Sequence, residues 1–247
     1  MSVVIEALRQ YLAHRRDFEA PAGDQPFVTV SRFDGVGSHE VARAIIARLD
    51  DLPDKGWNRG WELLDQQLCA WLIKEGRVPA TYEELVSEQY GERTLRQMVY
   101  EMLVGTAEQE NLCRKVGDVM RFLLQTGRTV VVGCAAAAEA RALQGPGIRV
   151  RVLASEPLRV ARVMKEHELS SDAARKLIRT QDETRARLLR EHYRREIDDP
   201  ALYDATFLTD RLPPAEIARA VVELLQARME ARARRAPLSA TQVVSLA

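Results

Sequence analysis

Phe27-Val-Thr-Val-Ser-Arg-Phe-Asp-Gly-Val-Gly-Ser-His-Glu-Val-Ala-Arg-Ala-Ile-Ile-Ala-Arg-Leu49 reads as a short buried strand, a turn bearing Gly35 and Gly37, and a helix with apolar residues at Val41, Ala44, Ile45 and Leu49. In that order a flexible backbone meets a helix N-terminus, where free N–H groups and the positive end of the macrodipole can hold a phosphate. Neither glycine has a Cβ and both tolerate positive φ, so the chain can pass close to an anion. The pattern G-x-x-x-x-G-K-[ST] is not met in full, because its first glycine and a lysine near His39 are missing. The segment is an imperfect phosphate loop.

Outward from this loop, Thr129-Val-Val-Val-Gly133 and Ile148-Arg-Val-Arg-Val-Leu153 read as further strands, and Ala205-Thr-Phe-Leu-Thr209 as a short last one. The alternation of Arg149 and Arg151 suggests one wet face or a sheet margin for its strand. Helices are expected over 61–74, from Thr81, over 92–104, over 107–126 with Gly127 as its end, and over 157–167, 171–194 and 214–233. Thr81-Tyr-Glu-Glu84 is a capping-box signature. Strands separated by helices argue for an α/β fold with a mainly parallel sheet. The expected organisation is an N-terminal helix and linker over 1–26, a main domain over 27–235 and a poorly ordered tail over 236–247.

The chain has 247 residues, enough for one large domain with an appended subdomain. Its 36 basic and 36 acidic side chains cancel, so no general attraction to nucleic acid is expected. Charge is instead local: 159–195 is rich in arginine and 82–110 leans acidic. Cys69, Cys113 and Cys134 are odd in number and contain no C-x-x-C pair, which reads as reduced thiols rather than a disulfide framework or a zinc site. No apolar run reaches the roughly 18 residues of a membrane span, and no signal-peptide core is visible, so the default expectation is a cytoplasmic protein without a membrane partner.

Arg159 and Arg162 stand three apart on one helix face, and a second helix carries Arg175, Arg179, Asp182, Arg185, Arg187 and Arg190. A helical hairpin rich in arginine suits phosphoryl transfer, in which planar guanidinium groups neutralise charge on the moving group and shut out water. The plainer alternative is a solvated face laced with ion pairs.

Four blocks carry a resemblance to the cytidylate kinase-like family of P-loop nucleoside monophosphate kinases. Thr29-Val-Ser-Arg-Phe-Asp-Gly-Val-Gly-Ser-His-Glu-Val-Ala42 resembles its I-S-R-x-x-G-S-G-G-R-E-I-A strand and loop. Gly127-Arg-Thr-Val-Val-Val-Gly-Cys134 is similar to its G-x-x-V-I-V-G-R strand, and Arg159-Val-Ala-Arg-Val-Met164 to its R-x-x-R-x-M lid opening. Asp182-Glu-Thr-Arg185 and Asp199-Pro-Ala-Leu-Tyr-Asp204 resemble its D-x-x-R and D-P-x-x-Y-D blocks. The match spans about 27–49 and 115–228.

The resemblance implies a P-loop NTPase-type three-layer fold with an arginine-rich helical lid at 157–195 and a divergent helical acceptor-binding region at 50–112. It implies ATP as the bound nucleotide, Mg²⁺ with it, and a CMP-like acceptor. Gly35, Val36, Gly37, Ser38, His39 and Glu40 would form the phosphate loop. Arg159 and Arg162 would open the lid, while Asp182, Arg185 and Arg187 would contact the acceptor or the transferred phosphate. Tyr203 and Asp204 would support the last strand. Two positions depart from the pattern. His39 replaces a permanently charged residue, and an imidazole with a pKa of about 6.5 is mostly neutral near pH 7. Cys134 replaces a strand-end arginine, and a thiol cannot make bidentate contacts to a phosphate. Cys134 reads as packing or as a thiol activated at a helix start.

Trp57, Trp61 and Trp71 could line a base pocket, although Trp61 and Trp71 suit the core of the helical insert better. His167 and His192 lack partners at zinc spacing, and no G-x-S-x-G nucleophile signature occurs. Three functions therefore stand side by side: a phosphotransferase, a nucleotide-binding protein without turnover, and an interaction module that forms a homodimer through 61–126.

Overall fold

The computed structural model describes residues 25–64, 120, 121 and 123–235. The expectations for the helix in the first 26 residues, for the helical stretch beyond residue 64, for Cys69, Trp71 and Cys113, and for the tail from 236 lie outside them.

The elements run β1 (Phe27–Arg32), α1 (Ser38–Asp50), β2 (Glu62–Leu64), β3 (Thr129–Val132), α2 (Cys134–Ala140), β4 (Gly147–Leu153), α3 (Glu156–His167), α4 (Ser171–Tyr193), β5 (Ala205–Leu208) and α5 (Pro214–Arg235). Between α4 and β5 lies a 3-10 turn at Pro200–Leu202. The strands form one sheet in the order β2-β3-β1-β4-β5, with every pair parallel.

Alternation along the central strands builds three layers, because successive side chains of a strand point to opposite faces. On one face Val28, Val30, Val130, Val132, Ile148, Val150 and Val152 pack against Val41, Ile45 and Leu49 of α1 and Ile217, Val221 and Leu225 of α5. On the other, Phe27, Leu64 and Val131 meet Leu123, Leu124, Ala136 and Ala140. The valines of β1 are fully buried, each worth about 1.5–3 kcal/mol against exposure. Both faces are covered, which is what a parallel sheet requires.

Two expectations need correction. The start of the helix expected over 61–74 is instead strand β2, whose Glu62, Leu63 and Leu64 align with Thr129, Val130 and Val131. Its chain-local signal is three residues long and contains no β-branched side chain, so only pairing with β3 defines it. Strand β4 is not a sheet margin either: β1 and β5 flank it. Arg151, expected on a wet face, is 3% exposed. It donates to Asp198 Oδ1 at 2.7 Å and Tyr203 Oη at 3.2 Å, and its guanidinium lies 4.5 Å from the centre of the Phe33 ring. Buried charge is tolerated here because the fork is bonded and stacked. The helix ending at Thr126 stops before Gly127, as expected.

Candidate functional site

The parallel strands all deliver their C-terminal ends to one edge of the sheet, where open α/β sheets hold ligands. There β1 runs into Phe33-Asp-Gly-Val-Gly37 and then α1. Gly35 has φ +73° and Gly37 has φ +81°, both in the left-handed region that only glycine enters cheaply. Val36 between them is buried in the core under α1, which pins the apex of the turn. Gly37 is the N-cap of α1 and no side chain caps that end. Among the described residues, the main-chain N–H groups of Gly35, Val36, Gly37, Ser38 and Glu40 make no hydrogen bond. The Ser38 and Glu40 amides in the first turn of α1 are thus available to an outside acceptor, in the positive field of the helix end.

Helices α3 and α4 fold over this turn as a hairpin. Glu168, at φ +54°, closes α3, and Ser170 accepts from the Ala173 N–H to start α4. An apolar seam of Val160, Val163, Ala174 and Ile178 joins the two helices. Their polar faces meet the loop. Arg159 Nε donates to Asp34 O at 2.7 Å, and the Arg159 guanidinium pairs with Asp182. Asp182 Oδ1 accepts the Asp34 N–H at 2.9 Å. Arg185 reaches Asp182 and Asp34, each at 3.4 Å, and Arg32 reaches Asp34 at 3.3 Å. Phe33 lies beneath, with Arg151 and Arg159 stacked on its ring.

Burial pushes the Asp182 carboxyl above its ordinary range, against the opposing pull of the Asp34 amide and of Arg159 and Arg185. Asp182 therefore titrates closer to neutrality than a free aspartate although two arginines face it.

Arg162 takes a different place. Its Nη1 donates to Gly35 O at 3.4 Å and to Thr209 Oγ1 at 3.3 Å. Thr209 immediately follows β5, and its hydroxyl lies 3.1 Å from Val36 O. Sequence reasoning missed Thr209 and Asp34. Position is the signal that points to them, since each directly follows, or lies close to, the C-terminal end of a parallel strand.

Of the residues expected at the site, Gly35 to Glu40, Arg159, Arg162, Asp182 and Arg185 come together here. Arg187 does not join the cluster. It sits about 200° round α4 from Arg185, makes no hydrogen bond or ion pair with the loop, and keeps a buried Nε without a partner among the described residues. Cys134 opens α2 at the C-terminal end of β3. Tyr203 and Asp204 are structural: the Tyr203 hydroxyl donates to Ile197 O at 2.8 Å, and Asp204 accepts from the Arg149 N–H and from the Arg149 and Arg228 side chains. Trp61 is buried in the main core, and its Nε1 donates to Trp57 O. His167 lies 3.9 Å from Glu166, and His192 is exposed. Among the described residues no group of three or more His, Cys, Asp and Glu could hold a metal, and no helix is long and apolar enough to cross a membrane.

The family model described as the cytidylate kinase-like family matches residues 27–211, which takes in the loop, both helices of the hairpin and Thr209. No curated protein matches the chain. Among solved structures, the chain is similar to an uncharacterized protein from Eubacterium ventriosum, at 15% identity and a TM-score of 0.49, covering 83% of this chain and 98% of that one. It is similar to TT1252 from Thermus thermophilus at 17% identity and a TM-score of 0.49, with the same coverage. A shikimate kinase from Bacteroides thetaiotaomicron follows at 14% identity and a TM-score of 0.41, again covering 83% and 98%.

Proposed function

The chain belongs to the cytidylate kinase-like family, and from that membership we propose that it binds ATP at Gly35–Glu40 and transfers the γ-phosphoryl group to a small acceptor such as a nucleoside monophosphate. One observation carries the reading: guanidinium groups of Arg159, Arg162 and Arg185 converge from two lid helices on a turn whose Gly35, Val36, Gly37, Ser38 and Glu40 amides are unbonded among the described residues. The loop amides take the donor phosphates. Arginines of the lid neutralise charge that spreads over the equatorial oxygens of the moving phosphoryl, and they exclude water as the lid seats. Mg²⁺ bound with the nucleotide would supply further neutralisation of the phosphate charge. Glu40, in the first turn of α1, is the carboxylate that the loop itself offers to it. Arg187 serves the acceptor side if α4 turns on closure.

A second reading, nucleotide binding without turnover, draws on the same cluster. Asp34 and Asp182 already occupy Arg159 and Arg185, and position 39 carries an imidazole in place of a fixed charge. The two readings separate on one experiment. Purified protein is incubated with labelled ATP, Mg²⁺ and a panel of nucleoside monophosphates and small alcohols. Labelled product that disappears in Arg162→Ala and Arg185→Ala establishes transfer. ATP that raises the melting temperature without product on any acceptor establishes the second reading. No thermal shift with ATP refutes both.

A further inference from the structure

We infer that Arg162, held in place by Thr209, supplies the permanent positive charge of the phosphate loop that position 39 lacks; this rests on the reading of Gly35–Glu40 as a phosphate site. A Cβ placed on Gly37 would lie 2.9 Å from Arg162 Nη1, 3.1 Å from Cζ and 3.3 Å from Nη2. The guanidinium plane therefore rests against the N-cap of α1, beside the unbonded amides. Its charge is also unspent. Arg159 and Arg185 face the carboxylates of Asp34 and Asp182, whereas among the described residues the hydrogen bonds of Arg162 go to a carbonyl and a hydroxyl and to no carboxylate. Asp210 feels the charge of Arg162 but makes no ion pair with it, and its carboxylate accepts from the Ser155 N–H and hydroxyl. A fixed guanidinium charge next to a helix N-terminus gives the loop a permanent attraction for phosphate.

Thr209 is the positioning residue. Its hydroxyl has one proton and two lone pairs. Leu153 O lies 3.3 Å away but already receives the Thr209 N–H at 2.9 Å, while Val36 O is nearer at 3.1 Å. Donation to Val36 O leaves a lone pair to accept from Arg162 Nη1. The chain Arg162–Thr209–Val36 thus ties the lid's free cation to the apex of the loop, through the end of a third element. Valine has the same shape and cannot make either bond.

The test uses the full chain and inorganic tripolyphosphate, which offers the loop no base or sugar. Calorimetric titration compares wild type with Thr209→Val, Thr209→Ser, Arg162→Ala, the double variant and His39→Gln. The expected result is an affinity loss of about tenfold or more in Thr209→Val, as for one charge-assisted contact. Thr209→Ser should stay within about twofold of wild type, Thr209→Val should add nothing in the Arg162→Ala background, and His39→Gln should lose less affinity than Arg162→Ala. Unchanged binding in Thr209→Val, a loss that persists without Arg162, or a loss in His39→Gln as large as in Arg162→Ala overturns the inference. In each of those cases the wild type still binds, so the phosphate site stands. Wild type that binds neither tripolyphosphate nor ATP removes the site itself and the inference with it. Should Thr209→Val not fold, Arg162→Gln decides: it keeps an N–H donor without the charge, and wild-type affinity in that variant overturns the inference.

Discussion

Substituting alanine at Gly35 tests the docking of the lid on the loop, and Gly56 provides the internal control. Both residues are left-handed, at φ +73° and +77°. A Cβ at Gly56 meets nothing within 4 Å, so Gly56→Ala carries only the backbone penalty of about 1–2 kcal/mol. At Gly35 the same atom would sit 2.7 Å from Arg159 O, 3.1 Å from Arg159 Cα and 3.0 Å from Val163 Cγ2. Two of those three are backbone atoms of α3 and cannot rotate away. Relief requires the hairpin to lift, which strains Arg159, its bond to Asp34 O and its pairing with Asp182. Overpacking of this kind adds about 1–3 kcal/mol, for a total of about 2–5 kcal/mol. In a domain of this size each kcal/mol moves Tm by about 2–4 °C. Differential scanning calorimetry on both variants therefore yields a small drop for Gly56→Ala and one two to three times larger for Gly35→Ala. Hydrogen exchange should rise across α3 and the first half of α4 in the second variant only. Equal drops, or an unchanged lid in Gly35→Ala, refute the close approach of loop and hairpin.

Three further outcomes follow from the hydrogen-bond network. Arg159→Lys should cost about 2–3 kcal/mol in urea unfolding, because an ammonium cannot span Asp34 O and Asp182 together, and it leaves Asp182 buried with a weaker partner. For Asp204, burial raises the carboxyl, but hydrogen bonds from Arg149 and Arg228 together hold it below its ordinary value of 3.8. Its stabilisation is therefore present above that value and disappears as pH falls through the folded-state value. Asp204→Asn should be about 1–3 kcal/mol less stable than wild type at pH 7, and unfolding at strongly acidic pH should show the gap closing. Tyr203→Phe removes the donor to Ile197 O and a partner of Arg151, and should lower unfolding free energy by about 1 kcal/mol without changing the far-UV circular dichroism.

The strand, glycine turn and helix at 27–49 were legible in the chain because each signal is local: a buried run, residues permitting positive φ, and apolar spacing. The lid helices were legible for the same reason, and α4 ends at Tyr193, one residue from the expected boundary. Strand β2 was not, since Glu-Leu-Leu becomes a strand only beside Thr129–Val131. Arg151 was misread because alternation with charge looks alike whether the arginine meets water or a buried acceptor. Its partners Tyr203 and Asp198 come from the far side of the hairpin in sequence. The arginine pattern and the family resemblance pointed to Arg159, Arg162, Asp182, Arg185 and Arg187, of which Arg187 stays outside the cluster. They said nothing of Asp34 or Thr209, whose roles consist of hydrogen bonds to residues far away in the chain; Thr209 and Val36 are 173 positions apart. Single polar residues after strands carry no periodic signal, so only the assembled sheet edge reveals them.

The long helix α4 has its two ends tied to different bodies. Near its start it packs on α3, while at its last residue the Tyr193 hydroxyl donates to Glu139 of α2 at 2.9 Å, and that carboxylate also takes Arg121. At 23 residues the helix is a rod about 35 Å long, so a tilt of about five degrees at the Tyr193 end sweeps the opposite tip through about 3 Å. Asp182 rides near the midpoint and travels roughly half that distance, enough to break a hydrogen bond. A substitution that shifts the Tyr193–Glu139 anchor would therefore be felt at the Asp34–Asp182 contact between helix and loop.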